Sequence, residues 1–409
     1  MPEGAAVSVI VVSTGRPDAL RRCLLGLSQI AHPLCEVIVV ADAASRPAIA
    51  ASGLADHVKA VSFGVPNISA ARNAGLALAA GDIVAFIDDD AVPEPTWLTR
   101  LTAPFADPVV TAAGGFVRGR NGIAFQWRAR LAFADGEAVP ITVDRVQPTL
   151  LTAGPGRAVK TEGTNMAIRR DVLRDMGGFD PAFAFYLDET DVNLRLATMG
   201  AVTAIVPRAE VHHGYAASAR RTSDRVPRDL FQIGASIAAF RRKHGDGAAF
   251  TSQAARDQQR QRLLGHMVAG RLMPGDVPRL LRTFDAGWED GLARALGQYP
   301  AFAASPPFLR FPTTRRPHIV IGTGLRGAQV ARARAARAVA DGAVVSLIML
   351  SPTALFHRIR FTDAGVWEQT GGQFGRSDRG GPLVRMMRRK ARVAAEMARV
   401  VAVRDPFAP

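Results

Sequence analysis

Three consecutive carboxylates, Asp88, Asp89 and Asp90, close the apolar run Ile83, Val84, Ala85, Phe86 and Ile87. Pro93 and Pro95 follow at once and bar further strand pairing, so the acids are delivered to the end of a strand. Acids so placed repel one another by roughly 1 to 4 kcal/mol per close pair, depending on the local dielectric. A divalent cation relieves that repulsion. Hard carboxylate oxygens suit Mg²⁺ or Mn²⁺, ions that usually keep positions open for the phosphate oxygens of a ligand. A strand alternates its faces, which points Asp88 and Asp90 one way and Asp89 the other, with no chemical role for Asp89. The plain alternative, a solvated acidic turn, is disfavoured by the apolar strand directly before it.

The elements around this run explain how such acids could be gathered. Val7 to Thr14 reads as a buried strand, and Asp18 to Gln29 carries Leu20, Leu24 and Leu27 at helical spacing. Glu36 to Ala41 reads as a second strand ending at Asp42, Val58 to Phe63 as a third, and about Ser69 to Ala80 as a helix. This order predicts an α/β fold with a parallel sheet, and ligands in such sheets sit at the carboxyl ends of the strands. Thr14, Asp42 and the Asp88 to Asp90 run all fall there. The pattern loosens at Gly114 and Gly115 and stays irregular to about Arg157. Thr161 to Arg170 reads as a strand entering a helix, Gly177 and Gly178 as a stop, and Asp188 as the start of a helix with Val192, Leu196 and Met199 on one face. Asp188, Glu189 and Asp191 crowd its first turn, where acids also complement the helix dipole and cap its amides.

In this order the segments resemble the family 2 glycosyltransferases of bacteria. The resemblance rests on Val7 to Pro17, Val39 to Asp42, Ser69 to Gly75 with its Ala71, Arg72, Asn73 core, Phe86 to Asp90, Gly177 to Asp180, and Asp188 to Arg195; it spans about residues 7 to 240. It implies the glycosyltransferase A fold, a Rossmann-like nucleotide-binding domain joined to an acceptor-binding half. It further implies an inverting enzyme that moves a sugar from a nucleotide-diphosphate donor to a hydroxyl acceptor, a carbohydrate or a lipid-linked glycan. Carried over by position, Asp42 would accept hydrogen bonds from the base, Asp88 would lie near the ribose, and Asp90 would bind the metal bridging the diphosphate. Thr14, Arg16 and Arg72 would line the same donor pocket, Arg72 equally well as an ion-pair partner of the acids. The catalytic base would come from the 188 to 191 cluster. The family commonly has Glu then Asp there, whereas this chain has Asp188 then Glu189, so Glu189 takes the base position with Asp188 as its rival. His212 and His213 would supply a third metal ligand, with His212 preferred.

The 409 residues suffice for two or three units. The sequence implies a transferase domain over 1–221, a helical extension over 222–304, a proline-rich linker over 305–317 and a small α/β unit with a basic tail over 318–409. The net charge of +15 calls for a reason. Nucleic acid is excluded, because basic residues are not interleaved with aromatics and no nucleic-acid motif occurs. Anionic phosphate ligands fit better, as does an anionic membrane surface, and arginine-rich composition from a GC-rich genome accounts for part of the excess. No apolar run is long enough to span a bilayer, which points to the cytoplasm. Cys23 and Cys35 read as buried small hydrophobes. Gly322, Gly324 and Gly327 have dinucleotide-loop spacing, but no acid closes the following strand, so they read as helix packing. Leu383 to Val401 shows a sided pattern with Arg385, Arg388, Arg392 and Arg399 opposite its apolar residues. Two readings stay open for it: a helix packed on its own domain, or a peripheral contact with the inner membrane. Two rival functions also remain, a nucleotidyltransferase forming sugar nucleotides and an inactive scaffold for polysaccharide assembly. Ser13 to Pro17 is a poor phosphate loop for the first, and the complete acid set argues against the second.

Overall fold

The computed structural model describes residues 4–214, 218, 220–245 and 252–407. The β-branched run Val7–Ser13 forms the middle of a parallel set, flanked by Cys35–Ala41 on one side and Ile83–Asp88 on the other, with Val58–Ser62 at the edge. All seven residues of Cys35–Ala41 are buried, as expected of a strand covered on both faces. Helix Pro17–Leu27 and helix Ile68–Leu78 supply that cover, the second capped by Asn67, whose side chain accepts a hydrogen bond from the Ala70 amide at 3.0 Å. Cys23 and Cys35 are free and buried among these apolar side chains.

The sheet then changes direction. Met166–Arg169 runs antiparallel between Ile83–Asp88 and Val110–Arg118, and Val202–His213 adds on parallel to Val110–Arg118, giving a 10-stranded sheet in all. This corrects the irregular reading of the stretch after Gly114. Both glycines lie inside the buried strand Val110–Arg118, because a Cβ on Gly115 would come within 2.0 Å of the Ala209 carbonyl and 2.4 Å of the Asn165 amide. Between residues 125 and 160 lie further short strands, Phe125–Trp127 beside Val110–Arg118 and a three-stranded sheet of Arg130–Phe133, Ala138–Pro140 and Arg157–Lys160.

Strand Val202–His213 runs on well past Val206. Its pairing slips between Val206 and Glu210, where Pro207 cannot donate to the ladder, and then resumes to His213. The short strand Ala91–Pro93 pairs antiparallel with this far end, His213 facing Ala91 and His212 facing Val92.

Helices Phe231–His244, Ser252–Val268 and Asp276–Ala293 make a separate apolar cluster with Phe183, Leu187 and Leu194. The segment after them lies against the amino end of strand Cys35–Ala41: Phe311 is fully buried, its amide donates to the Cys35 carbonyl at 2.8 Å, and the Leu309 amide donates to Glu36 at 3.0 Å. The last sheet, in the order His318–Gly324, Val344–Ser351, Val366–Gly372 and Arg358–Phe361, has helix Ala328–Ala340 beside it. The tail helix is Arg389–Arg404, not 383–401. Its buried side chains include Arg392, Glu396, Val400, Val403 and Arg404, so the helix packs through a charged seam on its own protein. Val393 presses on Gly322, where a Cβ would meet it at 2.7 Å. Among the described residues, no helix is long and apolar enough to cross a membrane.

Candidate functional site

The strand ends converge on one rim. Ser13 pairs with Ala41 on one side while Val12 pairs with Asp88 on the other, so Asp42 and Asp88 flank the end of the first strand with Thr14 and Arg16 beyond it. Asp42 is half-buried and accepts from the Gly15 and Ser45 amides, each at 2.9 Å. Burial works against its charge, yet hydrogen bonds from Ser45 and Gly15 hold its carboxyl below the usual range. Thr14 is exposed at the lip.

Asp88, Asp90 and His213 come together: one ligand atom from each lies within 4.8 Å of the others. His213 Nε2 is 3.1 Å from Asp90 and 3.9 Å from Asp88. The pairing of Ala91–Pro93 with the far end of Val202–His213 produces this, and the Gly214 amide closes it by donating to the Asp90 carbonyl at 2.7 Å. Two carboxylates and an imidazole suit a divalent ion such as Mn²⁺. The histidine facing the acids is His213, not the preferred His212. Alternation along the strand sends His212 to the opposite face, where Nε2 lies 2.8 Å from Glu94 and the ring rests 4.9 Å from that of Trp367.

The strand Ile83–Asp88 ends at Asp88, so its alternation does not extend to Asp89, which is fully buried. It pairs with Arg16 at 2.6 Å and accepts from the Ser13 hydroxyl at 2.7 Å. Burial raises its carboxyl to about 7 despite the guanidinium. Asp89 therefore orients a neighbour: it fixes Arg16, whose other nitrogen reaches within 3.5 Å of Asp90.

Across the rim stands the second acid group. Leu187, just before the helix Asp188–Thr198, takes a left-handed backbone with φ of 66°. That costs a leucine on the order of 1 kcal/mol and aims the next two carboxylates at the rim. Asp188 is bound by Arg72, which also lies 3.6 Å from Asp88 and rests over the Phe86 and Phe179 rings at 5.9 and 5.3 Å. Arg72 thus joins the two acid groups; Gly163 makes room, since a Cβ there would fall 2.2 Å from the guanidinium. Burial raises the Asp188 carboxyl, with Glu189 adding to the effect and Arg72 opposing it. Glu189 moves the other way: burial disfavours its charge, but Lys160 at 2.8 Å outweighs that and lowers it to about 2. Asp191 does not face the rim. It is fully buried between Arg195 at 2.9 Å, Lys243 at 2.7 Å and His244 at 2.8 Å, which ties the helix to Phe231–His244.

Sequence reasoning missed Lys160 and Glu162. Lys160 also donates to Thr190 at 2.8 Å, sits 3.3 Å from Glu162 and lies 5.2 Å over the Trp127 ring. Burial raises Glu162 to about 7. The signal available was a charged pair around Thr161 just ahead of the buried strand Met166–Arg169.

The acids, the imidazole and the guanidiniums thus gather at the carboxyl rim of an α/β sheet, where ligands of such sheets sit. Residues 8–177 match the model of the family described as Glycosyl transferase family 2, and this stretch is a family 2 glycosyltransferase domain. The chain is 28% identical over 255 residues to the pre-mycofactocin glycosyltransferase of Mycobacterium tuberculosis, covering 61% of this chain and 50% of that one. It is 28% identical over 257 residues to the O-antigen biosynthesis protein RfbC of Myxococcus xanthus, covering 58% of this chain and 19% of that one. The chain therefore spans half or less of the length of these relatives. Among solved structures, the mannosyltransferase PcManGT from Pyrobaculum calidifontis in complex with GDP-Man and Mn²⁺ overlays with a TM-score of 0.45 at 18% identity, over 71% of this chain and 88% of that one.

Proposed function

We propose that the protein transfers a sugar from a nucleotide-diphosphate donor to a hydroxyl acceptor, with inversion and with a divalent metal, Mn²⁺ or Mg²⁺. The observation that carries this reading is the convergence of Asp88, Asp90 and His213 opposite Asp188 and Glu189. The metal, held by Asp88, Asp90 and His213, would offset charge building on the leaving diphosphate. Asp42 receives the base, Thr14 lines the lip, and Arg16, steered by Asp89, reaches the phosphates. Glu189 takes the acceptor proton; Lys160 holds it ionised at neutral pH. Asp188 is committed to Arg72 and acts by positioning that guanidinium between the two acid groups. Asp191 joins helices and takes no part in the chemistry.

In this reading the transferase portion is 1–221, with 222–304 and 318–409 as supports joined through 305–317. The relatives' names, a pre-mycofactocin glycosyltransferase and an O-antigen biosynthesis protein, support glycan or glycoconjugate synthesis as the class. Release of nucleoside diphosphate from a panel of sugar nucleotides with Mn²⁺ tests the reading. Wild type should turn over at least one donor and Asp90→Ala none; turnover by Asp90→Ala equal to wild type overturns it.

A further inference from the structure

Behind the His213 face of the same strand lies a second cavity of 150 Å³, between the transferase domain and the tail helix. Strand alternation puts Arg208, Glu210 and His212 on this side, and register sets His212 beside Arg118. Four arginines, Arg118, Arg145, Arg208 and Arg399, line the cavity against two carboxylates, Glu94 and Glu210. Both acids are already matched. Glu94 takes Arg404 at 2.8 and 2.9 Å, and Glu210 takes both Arg118 nitrogens at 2.5 and 2.9 Å. The side chains of Arg208 and Arg145 have no hydrogen bond or ion pair among the described residues.

Glu94, Glu210 and His212 stand close enough to suggest a cation. The arginines locked onto them oppose one, and the surplus charge is positive. Burial lowers the Arg399 guanidinium, Glu396 opposes this, and Arg118 and Arg404 add to it; burial lowers Arg100 with Arg208 contributing. Such mutual repulsion is what an incoming anion relieves. The volume admits an oxyanion of a few heavy atoms with water.

We propose that this cavity binds a phosphate-type dianion between Arg118, Arg208 and Arg399, with Arg145 closing over it from the rim. Bound there, the anion braces the tail helix against the strand that ends in His213. The site is separate from the donor rim and does not depend on the transferase reading. The group could come from free phosphate or from a lipid headgroup, which share this chemistry.

The test uses the full chain in EDTA at fixed ionic strength. Inorganic phosphate should raise the Tm of wild type and equally that of Asp90→Ala, which alters only the donor rim. Removing one charge-assisted contact weakens binding about tenfold, so Arg208→Ala should need about ten times more phosphate for the same shift. Arg145→Ala with Arg208→Ala should lose the shift. Neither arginine has a partner to lose, so both variants should fold with a starting Tm at or above wild type. A second arm pellets the protein with phosphatidic acid vesicles or phosphatidylcholine vesicles. Selective pelleting that needs Arg145 and Arg208, without response to inorganic phosphate, assigns the same site to a headgroup. A response in neither arm, or an undiminished response in the double variant, overturns the proposal.

Discussion

At the scale of single residues, the two acid groups divide their work by what each carboxylate touches. Asp188 and Glu189 are neighbours, yet one is bound to a guanidinium that spans the rim and the other to an ammonium on the strand beside it. Replacing Glu189 by Gln keeps the shape and removes the proposed proton acceptor; transfer should fall by about 10² to 10⁴ while donor affinity, read by isothermal titration, stays near wild type. Full activity in Glu189→Gln would place the base elsewhere. Lys160→Met tests the same pair through pH. Lys160 is the main influence lowering Glu189 to about 2, so without it the carboxyl returns toward the ordinary range and protonates at higher pH. The acid limb of the rate profile should move upward, and an unmoved limb would show that Lys160 does not control the base. His32 gives a stability counterpart remote from the rim. Burial lowers it to about 4, and the Leu34 amide donates to its ring nitrogen at 3.3 Å. The unfolded chain takes its proton near pH 6.5 and the folded chain only near 4, so stability is full above 6.5 and declines as pH falls toward 4, by about 3 kcal/mol in all. Urea midpoints between about pH 7 and 4.5 should show this slope, and His32→Gln should flatten it.

At the scale of elements, what could be read from the chain depended on whether the signal was local. The alternation from Val7 to Asp90 was legible because each buried strand is a short β-branched run and each helix has its own apolar spacing. The identity of the facing histidine was not. It is set by the pairing of Ala91–Pro93 with residues more than a hundred positions away, and a slip of one residue would have presented His212 instead. Glycine misled for the same reason. Gly114 and Gly115 look like breakers locally, but tertiary neighbours require them to be bare. The helical extension carries the same device in testable form. Helices Phe231–His244 and Asp276–Ala293 touch backbone to backbone: a Cβ on Gly287 would come within 1.9 Å of the Phe231 carbonyl, and one on Gly291 within 2.2 Å of the Ala235 carbonyl. Gly287→Ala must push the helices apart and should cost about 1 to 3 kcal/mol in chemical denaturation. Gly265, in helix Ser252–Val268, has nothing within 4 Å of its Cβ position, so Gly265→Ala should instead gain up to about 1 kcal/mol. The two substitutions are chemically identical, and only packing gives them opposite signs.

At the scale of the molecule, the tail reaches back to the strand that carries His213, the proposed metal ligand. Arg404 grips Glu94 with two nitrogens and gives its third to Ser346 at 2.8 Å, its guanidinium lying 4.4 Å over Trp367; Glu94 in turn holds His212, the neighbour of His213. Every member of this chain is buried or nearly so, and Arg404 draws the Glu94 carboxyl far below its usual range in spite of burial. A buried ion pair of this kind adds little net stability, because desolvation offsets much of the attraction, but breaking it from one side strands a charge. Arg404→Met should therefore cost about 3 to 5 kcal/mol, read by urea denaturation, and Arg404→Met with Glu94→Gln should recover most of it. The functional readout separates a joint from a mere staple. If the chain from Arg404 to His212 fixes the end of the Val202–His213 strand, the double variant, though folded, should still need more Mn²⁺ for half-maximal donor turnover than wild type, with the turnover at saturating Mn²⁺ little changed. A double variant with wild-type Mn²⁺ dependence would confine the tail's role to stability and leave His213 positioned by contacts of its own, such as its pairing with Ala91 and the 3.1 Å contact of its Nδ1 with Gln126.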